Sequence, residues 1–223
     1  MDEMDLVESA WRWTREQMEV AAGHDFGHIE RVVTNAKRLG KVEGADGLVV
    51  RLAAITHDVV NLPKDDPDRH LASSRSAEAV STWLEGRLEP ARIDLVAEAI
   101  RCHSYSAGCI PESVEAKVVS DADNLDAIGA VGIARCFEIG GKLGRVTLAT
   151  DDPFCDERTP DDGTYTVDHF YTKLLRLGER FYTASGRREA KQRIEFMKEY
   201  LEQLRREVEE TEASGCRDVR FVL

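Results

Sequence analysis

Apolar residues recur every three to four positions through most of the chain, the period of amphipathic helices. Ile29, Val32, Val33, Ala36 and Leu39 follow the i, i+3, i+4, i+7 rule, and Asp25 stands where that helix needs a cap. Leu6, Val7, Ala10, Trp13 and Ala21 suggest a less regular helix before it. Residues 48–60 are apolar on most sides, which predicts a buried helix. A loop rich in Pro and Asp follows at 61–69, then a helix over 72–88 with Ala77, Val80, Trp83 and Leu84 inside. Pro90 opens a fifth helix carrying Ile93, Val96, Ala97 and Ile100. Ser113 can cap a sixth, running from Val114 to about Ile139 and rich in Ala and Gly. Residues 145–164 hold two prolines and several Asp without periodicity and suggest an excursion or lid over the site. Helix returns at 165–177, and a charged helix spans 189–212. Strand patterns are nearly absent, so the expectation is an all-α single domain over 1–223.

The composition narrows the function. Acids outnumber bases 42 to 30, a net charge of −12, which argues against a nucleic-acid partner. A phosphorylated substrate stays open, because a bound cation supplies positive charge locally. No apolar run reaches the roughly 18 residues of a membrane span, and the start MDEMDLVESAW lacks a signal-peptide core. Five cysteines without a C-x-x-C pair read as reduced thiols in a cytoplasm. Phosphate-loop, dinucleotide, hydrolase-elbow and zincin motifs are missing.

Polar residues on apolar faces carry the chemistry. His28 lies one turn before Val32, and His57 and Asp58 end the most hydrophobic helix. His103 continues the Val96, Ile100 stripe, while Asp121, Asp123 and Asp126 sit in a largely apolar segment. Buried carboxylates need partners, and taken singly these residues read as core histidines or helix caps. As a set, His28, His57, Asp58 and one of the three later aspartates suit a divalent cation: Mn, Fe, Co, Ni or Zn.

The order H…HD…D, in HIERV, ITHDVV and SDADNLDAIGAVGIAR, resembles the HD-domain metal-dependent phosphohydrolase superfamily. HDFGHIERV, the His103-Ser104 pair and DHFYTKLLRL bring it closer to the small stand-alone bacterial branch, over roughly residues 20–180. The resemblance implies an HD-type helical bundle with one divalent ion, Mn favoured and Mg included, held by His28, His57, Asp58 and Asp123. Asp123 is preferred to Asp121 because the superfamily's last ligand sits in an Ala-Asp-x-Leu context. Asp58 would orient or deprotonate the attacking water. His103 would contact phosphate or protonate the leaving oxygen, with a core histidine or a ligand to a second ion as the other readings. His24, Asp25, Asp121 and Asp126 are candidates for orienting the ligands, with Asp25 also readable as a plain helix cap. Lys64, Arg75, Arg101, Lys142, Arg145 and Lys173 are candidate substrate cations, whereas His169 reads as a structural hydrogen-bonding group.

The implied activity is hydrolysis of a nucleotide, specifically a nucleoside triphosphate to monophosphate and pyrophosphate. Phosphomonoesterase or (p)ppGpp hydrolase activity competes within the class. A di-iron oxygenase would need further histidines, and a non-catalytic nucleotide-binding module would be favoured by a broken ligand set. The oligomeric state is open.

Overall fold

The computed structural model describes residues 2–18, 26–60, 62, 66–104 and 108–213, with side chains through residue 210. Among these residues eight α-helices follow in order: α1 Glu3–Gln17, α2 Phe26–Glu43, α3 Gly47–Thr56, α4 Ala72–Leu84, α5 Pro90–His103, α6 Val114–Asp126, α7 Gly129–Lys142 and α8 Ala184–Ala213. Among the described residues there is no strand; Val146 and Tyr165 form an isolated bridge. Among the described residues no helix is long and apolar enough to cross a membrane.

Local chemistry explains where these helices begin. Asp46 Oδ1 accepts from the amides of Leu48 and Val49 at 2.9 and 3.2 Å, which starts α3. Ser113 Oγ accepts from Ala116 N at 3.1 Å and starts α6, the cap expected from sequence. Asp25, expected to cap α2, and Ala21 lie outside the described residues. Helix α6 packs against α2, α3, α5 and α8, so its length runs through the middle of the bundle. One continuous hydrophobic cluster extends from Leu6 in α1 to Leu201 in α8. Helix α3, apolar on most sides, is buried from Leu48 to Thr56 except at Arg51.

Three expectations need correction. The long sixth helix is two helices: α6 closes on Ala127, and Gly129 adopts φ +75°, a left-handed turn before α7. The segment expected as helix at 165–177 contains a π turn, Phe170–Leu174, followed by a 3₁₀ turn, Leu175–Glu179. Cys102 and Cys109 are joined in a disulfide with Cα atoms 4.8 Å apart, rather than standing as reduced thiols. Their spacing matches no metal or redox motif; the return of the chain after α5 brings them together.

The 145–164 excursion is braced by hydrogen bonds of its own and by an ion pair to the segment that follows it. Asp152 accepts from the amides of Asp156, Glu157 and Arg158. Arg158 makes a bidentate pair with the fully buried Asp168, Nη1 and Nη2 lying 2.5 and 2.7 Å from its carboxylate. Burial alone would raise the Asp168 carboxyl, but Arg158 and the Asp161 amide reverse this and hold it below the usual range. A carboxylate depressed in the folded state stabilises above its unfolded pKa, about 3.9, and that stability fades as pH falls through the folded value. The urea midpoint of the wild type should therefore exceed that of Asp168→Asn at pH 7 by more than at pH 3. A gap that stays constant would show that the pair does not contribute through its charge.

Candidate metal centre and substrate pocket

The ends of two core helices create the centre. Helix α3 stops at Thr56, so His57 follows as its C-cap and Asp58 lies in the next turn. The last carbonyls of a helix lack intrahelical donors. The His57 ring uses one, donating from Nδ1 to Ala54 O at 2.9 Å. His103, the last residue of α5, does the same, donating from Nδ1 to Ile100 O at 2.6 Å. His28, on the core face of α2, donates from Nδ1 to Asp126 at 2.7 Å. All three rings are buried, and in each the Nδ1 side is anchored.

The Nε2 side of each ring meets carboxylate. Asp123 Oδ1 lies 3.3 Å from His28 Nε2 and 3.9 Å from His57 Nε2. Asp58 stands between the other two, 3.6 Å from His57 Nε2 and 3.4 Å from His103 Nε2. The His57 ring centre is 5.4 Å from that of His28 and 4.8 Å from that of His103. His28, His57 and Asp58 each offer a ligand atom within 4.8 Å of the others. The turn bearing Asp58 is held to α4, where Ser76 Oγ bonds both the amide and the carbonyl of Val60.

Charge is distributed unevenly across this cluster. Burial opposes protonation of His28, but Asp123 and Asp126 outweigh it and lift its pKa to about 9. His57 is pushed down to about 4 by burial, which the neighbouring carboxylates only partly offset. His103 is also opposed by burial, yet its hydrogen bond to Asp58 raises it. Desolvation works against the ionised form of Asp123, which is half-buried, but His28 and the other rings draw it well below the usual carboxylate range.

These donors fit a divalent cation. His57 Nε2 is buried and makes no hydrogen bond, although its ring is otherwise fixed for coordination. An anchored Nδ1–H that leaves Nε2 as donor is the arrangement of metal-bound imidazole. Such an ion would take the place of the proton between His28 and Asp123.

The remaining sequence candidates separate. Asp126 is bonded to His28, and Arg31 Nε and Arg135 Nη1 also reach its carboxylate at 2.6 and 2.5 Å. Asp121 faces elsewhere: its fully buried carboxylate accepts from Tyr182 N, Thr183 N and Thr183 Oγ1 and anchors the entry to α8. Gly186 packs so closely there that a Cβ would sit 2.3 Å from Asp121 Oδ2. The expectation that Asp121 orients the ligands is therefore replaced by a structural role. His24, Asp25 and Lys64 lie outside the described residues.

A cavity of about 400 Å³ opens on the centre, lined by His28, Asp58, His103 and Asp123. Arg145 and Lys173, two of the residues proposed from sequence as substrate cations, are in its wall. Arg75 and Lys142 do not: Arg75 pairs with Asp68 at 2.6 Å and Lys142 with Glu138 one helical turn away. Arg101 is exposed on α5. Arg69, Ser104, Asn124 and His169 also line the cavity and were not assigned to it from sequence. For Arg31 the signal was present, since it lies three residues beyond His28 on the same face of α2. No local pattern marked Arg135, which reaches Asp126 only because the chain turns at Gly129.

A helical bundle that draws the side chains of an H…HD…D sequence to one point is an HD-type protein. The HD-domain family model matches residues 25–128. The chain is 32% identical to the Bacillus subtilis (strain 168) protein YpgQ over 212 residues, covering 93% of this chain and 96% of that one. It therefore belongs to the HD superfamily. The crystal structure of YpgQ in complex with ADP superposes with a TM-score of 0.71 at 34% identity, covering 93% of this chain and 97% of that one. An HD-superfamily hydrolase from Bacillus thuringiensis matches with a TM-score of 0.73 at 32% identity, covering 93% and 99%.

Proposed function

We propose that this protein is a metal-dependent phosphohydrolase that cleaves nucleoside triphosphates to the monophosphate and pyrophosphate. The observation that carries the reading is the convergence of three imidazole Nε2 edges, each ring tied back through Nδ1, on the carboxylates of Asp58 and Asp123. His28, His57, Asp58 and Asp123 would hold the ion, Mn²⁺ being favoured. When bound, such an ion supplies Lewis acidity, lowering the pKa of a water and drawing charge from a phosphoryl oxygen. The ADP complex of YpgQ supports a nucleotide as the ligand class.

The side chains then have distinct tasks. Asp58 spans His57 and His103, so its carboxylate can orient a water and accept its proton. His103 Nε2, next to Asp58 and in the wall of the cavity, is the group to contact phosphate or return a proton to the leaving oxygen. Arg145 and Lys173 supply positive charge against the polyphosphate.

A panel of nucleoside mono-, di- and triphosphates with Mn²⁺ or Mg²⁺, its products separated by ion chromatography, tests the reading. Pyrophosphate should be released from triphosphates, EDTA should abolish the reaction and Mn²⁺ should restore it. Oxygen uptake with an organic substrate, and no phosphate or pyrophosphate from any nucleotide, would place the protein among the oxygenases instead.

A further inference from the structure

His169 has no task in the reading above, yet it lines the same cavity as the metal centre. Its ring is fixed: Nδ1 bonds Asp162 Oδ2 at 2.7 Å, and the same oxygen accepts from Thr172 Oγ1 at 2.9 Å. With Nδ1 occupied, Nε2 is the atom this ring can offer a ligand. Arg145 enters the cavity wall from the segment after α7, and its side chain makes no hydrogen bond or ion pair among the described residues. Lys173, four residues beyond His169 in the π turn, completes the group. Arg69 and Arg135 line the cavity too, but one is bonded to Leu62 O and the other to Asp126. The cavity thus pairs a carboxylate-rich cluster with a cationic wall built from different elements. A polyanion entering it is repelled by Asp58 and Asp123 and attracted by that wall.

We propose that Arg145, His169 and Lys173 form a binding site for the leaving phosphate groups of the substrate, with Asp162 as the residue that positions the His169 ring. The ligand class is a diphosphate, free or as the terminal two phosphates of a nucleoside triphosphate. This rests on the phosphohydrolase reading of the same cavity and adds which end of the substrate lies where. Asp162 holds the Nδ1 proton, so Nε2 faces the ligand in a single tautomer. Burial and the neighbouring Lys173 and Arg145 depress the basicity of the empty ring, while Asp162 opposes them. A phosphate oxygen at Nε2 would favour the protonated ring.

The test is calorimetric titration of inorganic pyrophosphate into the Mn²⁺-loaded protein, beside steady-state kinetics on a nucleoside triphosphate. Arg145→Met and His169→Gln should each weaken pyrophosphate at least tenfold while Mn²⁺ affinity and the thermal midpoint stay unchanged. Asp162→Asn should raise KM for the triphosphate more than it lowers kcat, a split that a purely structural role would not produce. The Arg145 side chain has no hydrogen bond to lose on substitution, so its variant keeps the test valid even if His169→Gln fails to fold. Wild-type pyrophosphate affinity in Arg145→Met, or no pyrophosphate binding by the wild type, overturns the site and leaves the hydrolase reading standing if nucleotides are cleaved. A wild type that cleaves no nucleotide but loses pyrophosphate affinity in these variants keeps the site and removes the hydrolase reading.

Discussion

Replacing Asp123 by alanine should abolish tight Mn²⁺ binding and activity together, whereas Asp121→Ala should keep the metal and lower the thermal midpoint by about 6–12 °C. The two residues are two positions apart in α6 and so point about 200° apart around the helix. Asp123 faces His28 and His57, its Oδ1 within 4 Å of both Nε2 atoms. Removing it takes away a ligand, but the His28 ring keeps Asp126 as its partner and no backbone amide is stranded, so its effect on stability should be the smaller one. Asp121 faces α8 and satisfies two backbone amides and one hydroxyl. Burial raises its pKa even against those three bonds, a measure of how far it lies from water. Alanine there strands these donors at a cost of about 3 kcal/mol, which for a chain of this size becomes the stated shift. Metal content of the purified variants and thermal unfolding followed by circular dichroism measure both effects. Full occupancy in Asp123→Ala, or loss of metal from a folded Asp121→Ala, would invert the assignment.

Asp126→Ala should fail in both respects at once. Its carboxylate, 1% exposed, is shared by His28, Arg31 and Arg135. Taking it away leaves two guanidinium groups beside the His28 ring with no intervening negative charge, a loss of about 3–5 kcal/mol. The ring also loses the acceptor that sets its tautomer, so Mn²⁺ affinity should fall roughly 10–100-fold even where the protein remains folded. Titration at 10 °C, where the variant is most populated in its native state, separates the two effects from a thermal melt. Unchanged Mn²⁺ affinity in a folded Asp126→Ala would mean that the His28 ring needs no outer partner.

Much of the centre was legible in one dimension because helices convert spacing into direction. His28 at the head of an i, i+3, i+4 stripe had to face the core, and His103 had to continue the stripe of Val96 and Ile100. Helix starts at Pro90 and Ser113 were equally local, resting on a fixed φ and on a single side-chain bond. The same rule shows that Asp121 and Asp123 cannot share a partner. It does not show which neighbour each one meets.

That choice belongs to the tertiary structure, since α2 and α3 lie on one side of α6 and the entry to α8 on another. Among the cations, Arg75 and Lys142 are consumed by acids on their own or adjacent turns, while Arg145 and Lys173 reach the cavity. No spacing distinguishes these four, because a long flexible side chain is directed by the nearest opposite charge, which another segment can supply. Cys102 and Cys109 became a pair through the path of the chain after α5, and the sixth helix broke where Gly129 could take a positive φ. The sequence by itself therefore determined the helices, their buried faces and the residue types that meet at the centre, all of which depend on local periodicity. Only the packing of α2, α3, α5 and α6 decided which aspartate faces the histidines, because those contacts join residues 45 to 98 positions apart.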